Sequence, residues 1–424
     1  MKSAFMHRPS CTRGLSLAGF LFVAILFASC RVSAQEQEEV RGAAVEPADA
    51  PEIRAQMAIA ENLLGKTPDR GAILYFLAES HAQLLEQRAA MSRLSECIAL
   101  KEGFDPDGDP AFAAFKNADD FTKLVQQVHK DFPAIARSRL AYTIQEKDLI
   151  PEGLAYDSQG DVFFLSSMYR RKIVKIPYEG LPADFVPPVR DNLLPVLGIR
   201  IDPADGSIWA NSFVETGRTE LLHFDRAGKL LGRFSIPGEE KHGFNDLVVL
   251  RAGIVFLTDT LANKLYRFDA KTQNFQEQTI SRPLLQPNGI AITDDEQTLY
   301  VADQLGILHV DLAAHNSAEL DPGRHNTVCG ADGLYWHKNT LIAIQNGIGS
   351  PRIAQFNLST DGLHVLKTTV LEYRSTFTLL PTTGALRGDD FYFIVNSQLD
   401  NLNGTRILDP LKLQPIRIGV LRLP

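Results

Sequence analysis

Four residues in the second half of the chain carry carboxylate or carboxamide oxygens at matching places: Glu152, Asn245, Asn288 and Asp332. Oxygen donors of this kind bind hard cations, provided that the fold brings them together. Each opens a short phrase that runs into an apolar strand. The phrases are Pro151-Glu152-Gly153-Leu154-Ala155-Tyr156-Asp157, Asn245-Asp246-Leu247, Pro287-Asn288-Gly289-Ile290-Ala291-Ile292 and Asp332-Gly333-Leu334. The same phrase returns at Leu197-Gly198-Ile199 and Thr383-Gly384-Ala385. The copies are spaced by roughly 45 residues, the period of a four-stranded propeller blade. In a propeller the innermost strand of each blade lines the central channel, so equivalent positions meet around the axis. The column Glu152, Leu197, Asn245, Asn288, Asp332 and Thr383 is therefore the place to look for function.

The elements that must position this column follow. Residues 140–424 are expected to form an all-β six-bladed β-propeller. The alternating segment 140–145 precedes the first repeat, and the last repeat ends on Ile418-Gly419-Val420-Leu421-Arg422-Leu423. The early segment is expected to complete the last blade, because closure removes the open edges of a ring of sheets. Residues 52–133 have a helical pattern and predict a small α-helical domain. Residues 73–85 and 89–100 are amphipathic, and small residues Ala78, Ala90 and Cys97 sit where two antiparallel helices would touch, beside Leu74, Leu77 and Leu94. This resembles a tetratricopeptide (TPR) unit, with a plain helical cap on the propeller as the alternative. Asp105-Pro106-Asp107-Gly108-Asp109 lacks the later ligands of a calcium loop and reads as a turn. The compositional break between Phe132 and Leu140 suggests that the helical part is separable from the propeller.

The chain has 424 residues and a net charge of −8, and no basic patch interleaved with aromatics argues for nucleic acid. A basic start (Lys2, His7, Arg8, Arg13), an apolar run over 15–27 and Val32-Ser33-Ala34 form an export signal, residues 1–34. The apolar run is shorter than the roughly 20 residues a spanning helix needs, so no membrane span is expected in the mature chain. The protein is expected to be periplasmic or secreted; the alternative is a lipoprotein anchored through Cys30. Residues 35–51 are acidic and Ala-rich and read as a flexible linker. Cleavage after Ala34 leaves Cys97 and Cys329, so no disulfide framework is implied.

With the repeats placed, the phrases Pro-Glu-Gly-Leu-Ala-Tyr-Asp, Phe-Asn-Asp, Pro-Asn-Gly-Ile-Ala-Ile and Ala-Asp-Gly-Leu make the propeller resemble the SMP-30/gluconolactonase/LRE-like family. That resemblance implies a six-bladed propeller with a divalent metal on its axis, and many members hydrolyse lactones. It implies Glu152, Asn288 and Asp332 as metal ligands and Asn245 as a further axial residue facing substrate or water. Members of the aldonolactonase type carry an Arg two residues before the blade-three Asn, where this chain has Gly243. The resemblance thus implies lactone or ester hydrolysis without fixing a sugar substrate.

The residue chemistry points the same way. Glu152, Asn288 and Asp332 offer only oxygen, which suits calcium first, with magnesium, manganese or zinc as alternatives. Two carboxylates balance a dication, and such a cation with open positions polarises an ester carbonyl. Asp332, Asn245 and His242 are the candidate catalytic residues, His242 as a base at the pocket mouth. Asp246 is a second base candidate, expected to point away from Asn245 along the strand. No G-x-S-x-G elbow occurs in the mature chain, and the histidines show no zinc spacing. Two classes remain: a metal-dependent hydrolase of a small-molecule lactone or ester, and a non-catalytic NHL-like propeller that binds a protein or ligand through its loops and TPR-like helices.

Overall fold

The computed structural model describes residues 50–188 and 190–424. The export signal, Cys30, and the linker up to residue 49 lie outside the described residues. Among the described residues no helix is long and apolar enough to cross a membrane.

Six four-stranded antiparallel sheets form the propeller. The first five blades span 154–186, 196–234, 244–277, 290–319 and 331–373, each built in chain order from the axis outward. The sixth combines Gly384–Arg387, Asp390–Ile394 and Ile416–Arg422 with Arg139–Ile144, which joins as its outermost strand. The register runs from Arg139 opposite Val420 to Ile144 opposite Ile416. The early strand therefore closes the ring, as the alternation in 140–145 implies. Apolar side chains alternate off both faces of each blade, and the core lies between blades. One such layer joins Phe163, Leu165 and Val174 of the first blade to Tyr392, Ile394 and Ile418 of the last.

The glycines of the repeated phrase have a reason in this packing. A Cβ on Gly153 would lie 2.2 Å from the carbonyl oxygen of Leu197, and one on Gly198 would lie 2.4 Å from that of Asn245. On Gly289 and Gly333 it would meet the carbonyls of Asp332 and Thr382, each at 2.9 Å. The backbone of the next blade occupies the place of the missing side chain, so Gly sets how closely blades approach the axis. Gly153→Ala should cost about 2–3 kcal/mol through forced separation of blades one and two. Urea unfolding would read this as a lower midpoint; an unchanged midpoint would show that the blades can spread without cost.

The helical part consists of α1 (Ala50–Leu63), α2 (Arg70–Gln83), α3 (Gln87–Ala99) and α4 (Asp119–Asp131), with two 3-10 turns between α3 and α4. Helix α1 starts inside the segment expected to be linker. Helices α2 and α3 pack through Leu74, Ala78, Ala90, Leu94 and Cys97, the contact that the small residues suggested. Eleven of the fourteen residues of α2 are buried, so this helix offers no open face. What buries it includes the propeller: Cys329 and Ile348 enter one helical core, and Leu285 and Leu305 enter the other, beside Ile53, Met57 and Leu77.

Polar contacts pin the same seam. Asp69 accepts hydrogen bonds from the Thr327 hydroxyl at 2.8 Å and from the Val328 N–H at 2.9 Å. Asp105 accepts from Ser350 at 2.7 Å and pairs with Arg374 at 3.3 Å. The acidic stretch 105–109 is indeed a turn: Asp105 and Asp109 cap the 3-10 turns through the N–H groups of Asp107 and Ala111. The expectation of a separable helical part has to be set against this seam. Helices and propeller share apolar cores and buried carboxylates, which argues against cutting one from the other without cost.

Candidate functional site

The inner strands bring the column residues to one end of the axis, and two local devices aim them. The first is a bulge. In blades two, three and five the pairing of the inner strand slips by one residue, at 196/199, 244/247 and 331/333. The extra residue bends the strand and turns its side chain, as bulges beside functional sites do. It falls within the unpaired stretches 197–198 and 245–246 and at Asp332. The second device is backbone strain. Ile150, Gln286 and Gly330 have φ of 46°, 50° and 65°, and each lies two residues before Glu152, Asn288 or Asp332. A left-handed β-branched Ile is costly, about 1–3 kcal/mol, and such outliers gather at functional sites.

The side chains then meet. Asn288 Nδ2 donates to Asp332 Oδ1 at 2.8 Å, and Asn346 Nδ2 donates to Asp332 Oδ2 at 2.5 Å. Asn245 Nδ2 donates to Thr260 Oγ1 at 3.1 Å, and Thr260 in turn donates to the Pro287 carbonyl at 2.6 Å. Asn245, Asn288 and Asp332 line one small polar cavity of about 50 Å³ together with Thr260, Gln304 and Asn346. Glu152 is buried next to Asp332, with its Oε2 atom lacking any hydrogen-bond partner. The Thr382 and Thr383 hydroxyls hold its backbone carbonyl.

Burial pushes the Glu152 carboxyl well above the usual carboxylate range, and the charges of Asp332 and Asp246 push it further. Burial likewise raises Asp332 to about 7, against the pull of its two amide partners. Two buried carboxyls, of which Glu152 is raised by Asp332 and carries an orphan oxygen, form a site short of positive charge. Among the described residues no three His, Cys, Asp or Glu side chains converge as a metal cluster. A cation here would therefore need the carboxamide of Asn288 beside the two carboxylates, and that donor set fits a hard divalent ion.

Close to this site, where Asp246 acts on both carboxyls, the axis is crossed. Arg200 Nη2 pairs with Asp246 Oδ2 at 2.7 Å, and its guanidinium lies 5.4 Å from the Tyr335 ring centroid. Arg200 and Tyr335 belong to blades two and five, which face each other in a six-membered ring. Asp246 occupies the place that Gly holds in the other copies and accepts the Leu247 N–H at 2.8 Å. Tied to Arg200, it is a structural anion.

His242 does not line the cavity. Its Nδ1 lies 2.6 Å from Asp259 Oδ2, and its ring packs edge-on against Tyr266 at 5.8 Å between centroids. The structure places it on the rim of blade three, held by Asp259, and not among the axial carboxylates. Gly243 is explained by its neighbour: a Cβ there would lie 2.7 Å from Leu261 Cγ, so an Arg would collide. The sequence reading missed Thr260, Gln304 and Asn346. Each is the first residue beyond the end of the second strand of its blade, after Asp259, Asp303 and Gln345. Aligning the repeats on their second strands as well as their first would have exposed this column.

No family model matches the sequence. No curated protein matches it. Solved structures similar to the chain include a gluconolactonase from Xanthomonas campestris, 18% identical, covering 69% of this chain and 94% of that chain with a TM-score of 0.47. Another is virginiamycin B lyase from Staphylococcus aureus, 15% identical, covering 67% and 98% with a TM-score of 0.47. A third is a luciferin-regenerating enzyme, 15% identical, covering 66% and 95% with a TM-score of 0.45. At these levels no residue role is carried over from them.

Proposed function

We propose that this chain is an exported, divalent-metal-dependent hydrolase of lactones or related esters. The observation that carries the reading is the buried pair Glu152 and Asp332, with an unpartnered Glu152 oxygen, beside Asn288 at the axial end of the propeller. Glu152, Asn288 and Asp332 would hold the cation, calcium first. When bound, it would supply Lewis acidity to an ester carbonyl.

The chain's own residues do the rest. Asn346 and Asn288 fix the orientation of the Asp332 carboxylate through both of its oxygens. Thr260 orients Asn245, whose carboxamide faces the cavity as a substrate-positioning group. The burial of the site excludes bulk water, which strengthens each of these electrostatic contacts.

A pH dependence follows. Asp332 is raised from 3.8 to about 7, so without a cation it contributes stability that is complete below about pH 4 and lost as pH rises through 7. Glu152 acts in the same direction. A cation needs both groups deprotonated, so calcium affinity should fall about tenfold per pH unit below 7 for each proton displaced. The rise in melting temperature on adding calcium should accordingly be larger at pH 8 than at pH 6. Equal increments at the two pH values would argue that calcium binds elsewhere.

A further inference from the structure

The wall of the axial cavity is made by the propeller but braced from outside it. Gln286 lines the cavity two residues before Asn288, in the left-handed conformation noted above. Its backbone N–H donates to Asn263 Oδ1 at 2.7 Å. Both ends of its carboxamide are held. Nε2 donates to Gln56 Oε1 at 3.3 Å, and Oε1 accepts from Gln304 Nε2 at 3.4 Å. Gln304 lines the cavity as well. Gln56 is a buried residue of helix α1, outside the propeller. The loops that carry Gln286 and Gln304 are clamped to the same helices through Leu285 and Leu305.

Among the described residues that line the cavity none is cationic; beside the carboxylates of Asp332 and Asp303 the polar wall is carboxamides and the Thr260 hydroxyl. A neighbouring guanidinium, Arg282, is engaged by Asp303 at 2.6 Å and Glu319 at 2.5 Å. A carboxamide offers a donor and an acceptor with no net charge, which matches an alcohol and not an anion. We infer that Gln286 is a specificity-determining residue that reads an uncharged hydroxyl group next to the reacting carbonyl, and that helix α1 positions it through Gln56. This rests on the hydrolase reading for the reacting group and gives the helical part a role in substrate choice.

The test uses the full chain loaded with calcium. Gln56→Met keeps the length of the side chain and its place in the helix but removes the hydrogen-bond partner of Gln286. Two lactones are compared, α-hydroxy-γ-butyrolactone and γ-butyrolactone. Loss of one neutral hydrogen bond should raise KM for the hydroxylated lactone about five- to tenfold. The kcat should stay within about twofold, and KM for the plain lactone should not move. If both KM values shift together, or neither does, the inference fails. If the wild-type protein turns over neither lactone, the hydrolase reading has failed, and binding of xylitol to the calcium-loaded protein decides this point alone. Xylitol held about five- to tenfold more weakly by Gln56→Met supports the inference; equal affinity, or no binding to wild type, overturns it.

Discussion

Asp332→Asn is expected to leave a folded protein that has lost both calcium binding and lactone turnover. In the native site both Asp332 oxygens accept from amide groups, of Asn288 and Asn346. An Asn there must turn its own NH₂ toward one of those donors, and it leaves Glu152 as the one carboxylate for a dication. Calcium affinity should fall by at least about a hundredfold, beyond the effect of losing an outer partner of a ligand. Turnover should fall with it. The metal-free variant should melt no lower than wild type above pH 7, because a buried charge that opposes folding there has been removed. Calorimetry and a lactone assay on the two proteins side by side make the test. If turnover survives Asp332→Asn, or if calcium binds neither protein, the axial-metal hydrolase is wrong and a ligand-binding propeller takes its place.

The second large effect concerns the helices. A chain beginning at residue 134 keeps the closing strand at Arg139–Ile144 but exposes the seam that the helices cover. Leu285, Leu305, Cys329 and Ile348 would face water, and each buried aliphatic of this size is worth about 1.5–3 kcal/mol. The sum approaches the whole stability of an ordinary domain, about 5–15 kcal/mol. The shortened chain should aggregate or unfold at a much lower urea concentration than the full one. A soluble product with an unchanged midpoint would show that the seam is a loose contact between independent units.

Much of the propeller was legible because its constraint is periodic. The Gly in each phrase and the apolar strand after it recur for a steric reason, the carbonyl of the neighbouring blade, so the blades and the polar column could be read from one dimension. The bulges at 245–246 and at Asp332 could not. They depend on pairing between strands, and nothing in Phe-Asn-Asp announces a slipped register. The strain at Ile150 and Gln286 was equally hidden, since a residue before Pro is expected to be extended. For the helices, amphipathicity established that α2 had a buried face but was silent on what buries it. His242 illustrates the opposite error. Nearness to Asn245 in sequence suggested nearness to the cavity, yet His242 precedes the strand that carries Asn245, and Asp259 holds the ring.

The strand that closes the ring lies at the front of the propeller sequence, and its partner lies at the very end. The helices are in the same position: α1 and α2 come first, but the loops they clasp, around Leu285, Leu305 and Cys329, are made some two hundred residues later. The opening third of the chain must therefore wait for the closing third. Contacts so distant in sequence fold slowly, and until they form, the outer edge of the last blade and the apolar side of α2 stay exposed. A nascent chain would spend that interval dependent on whatever shields such surfaces, and loss of the final strand would leave Arg139–Ile144 without its partner.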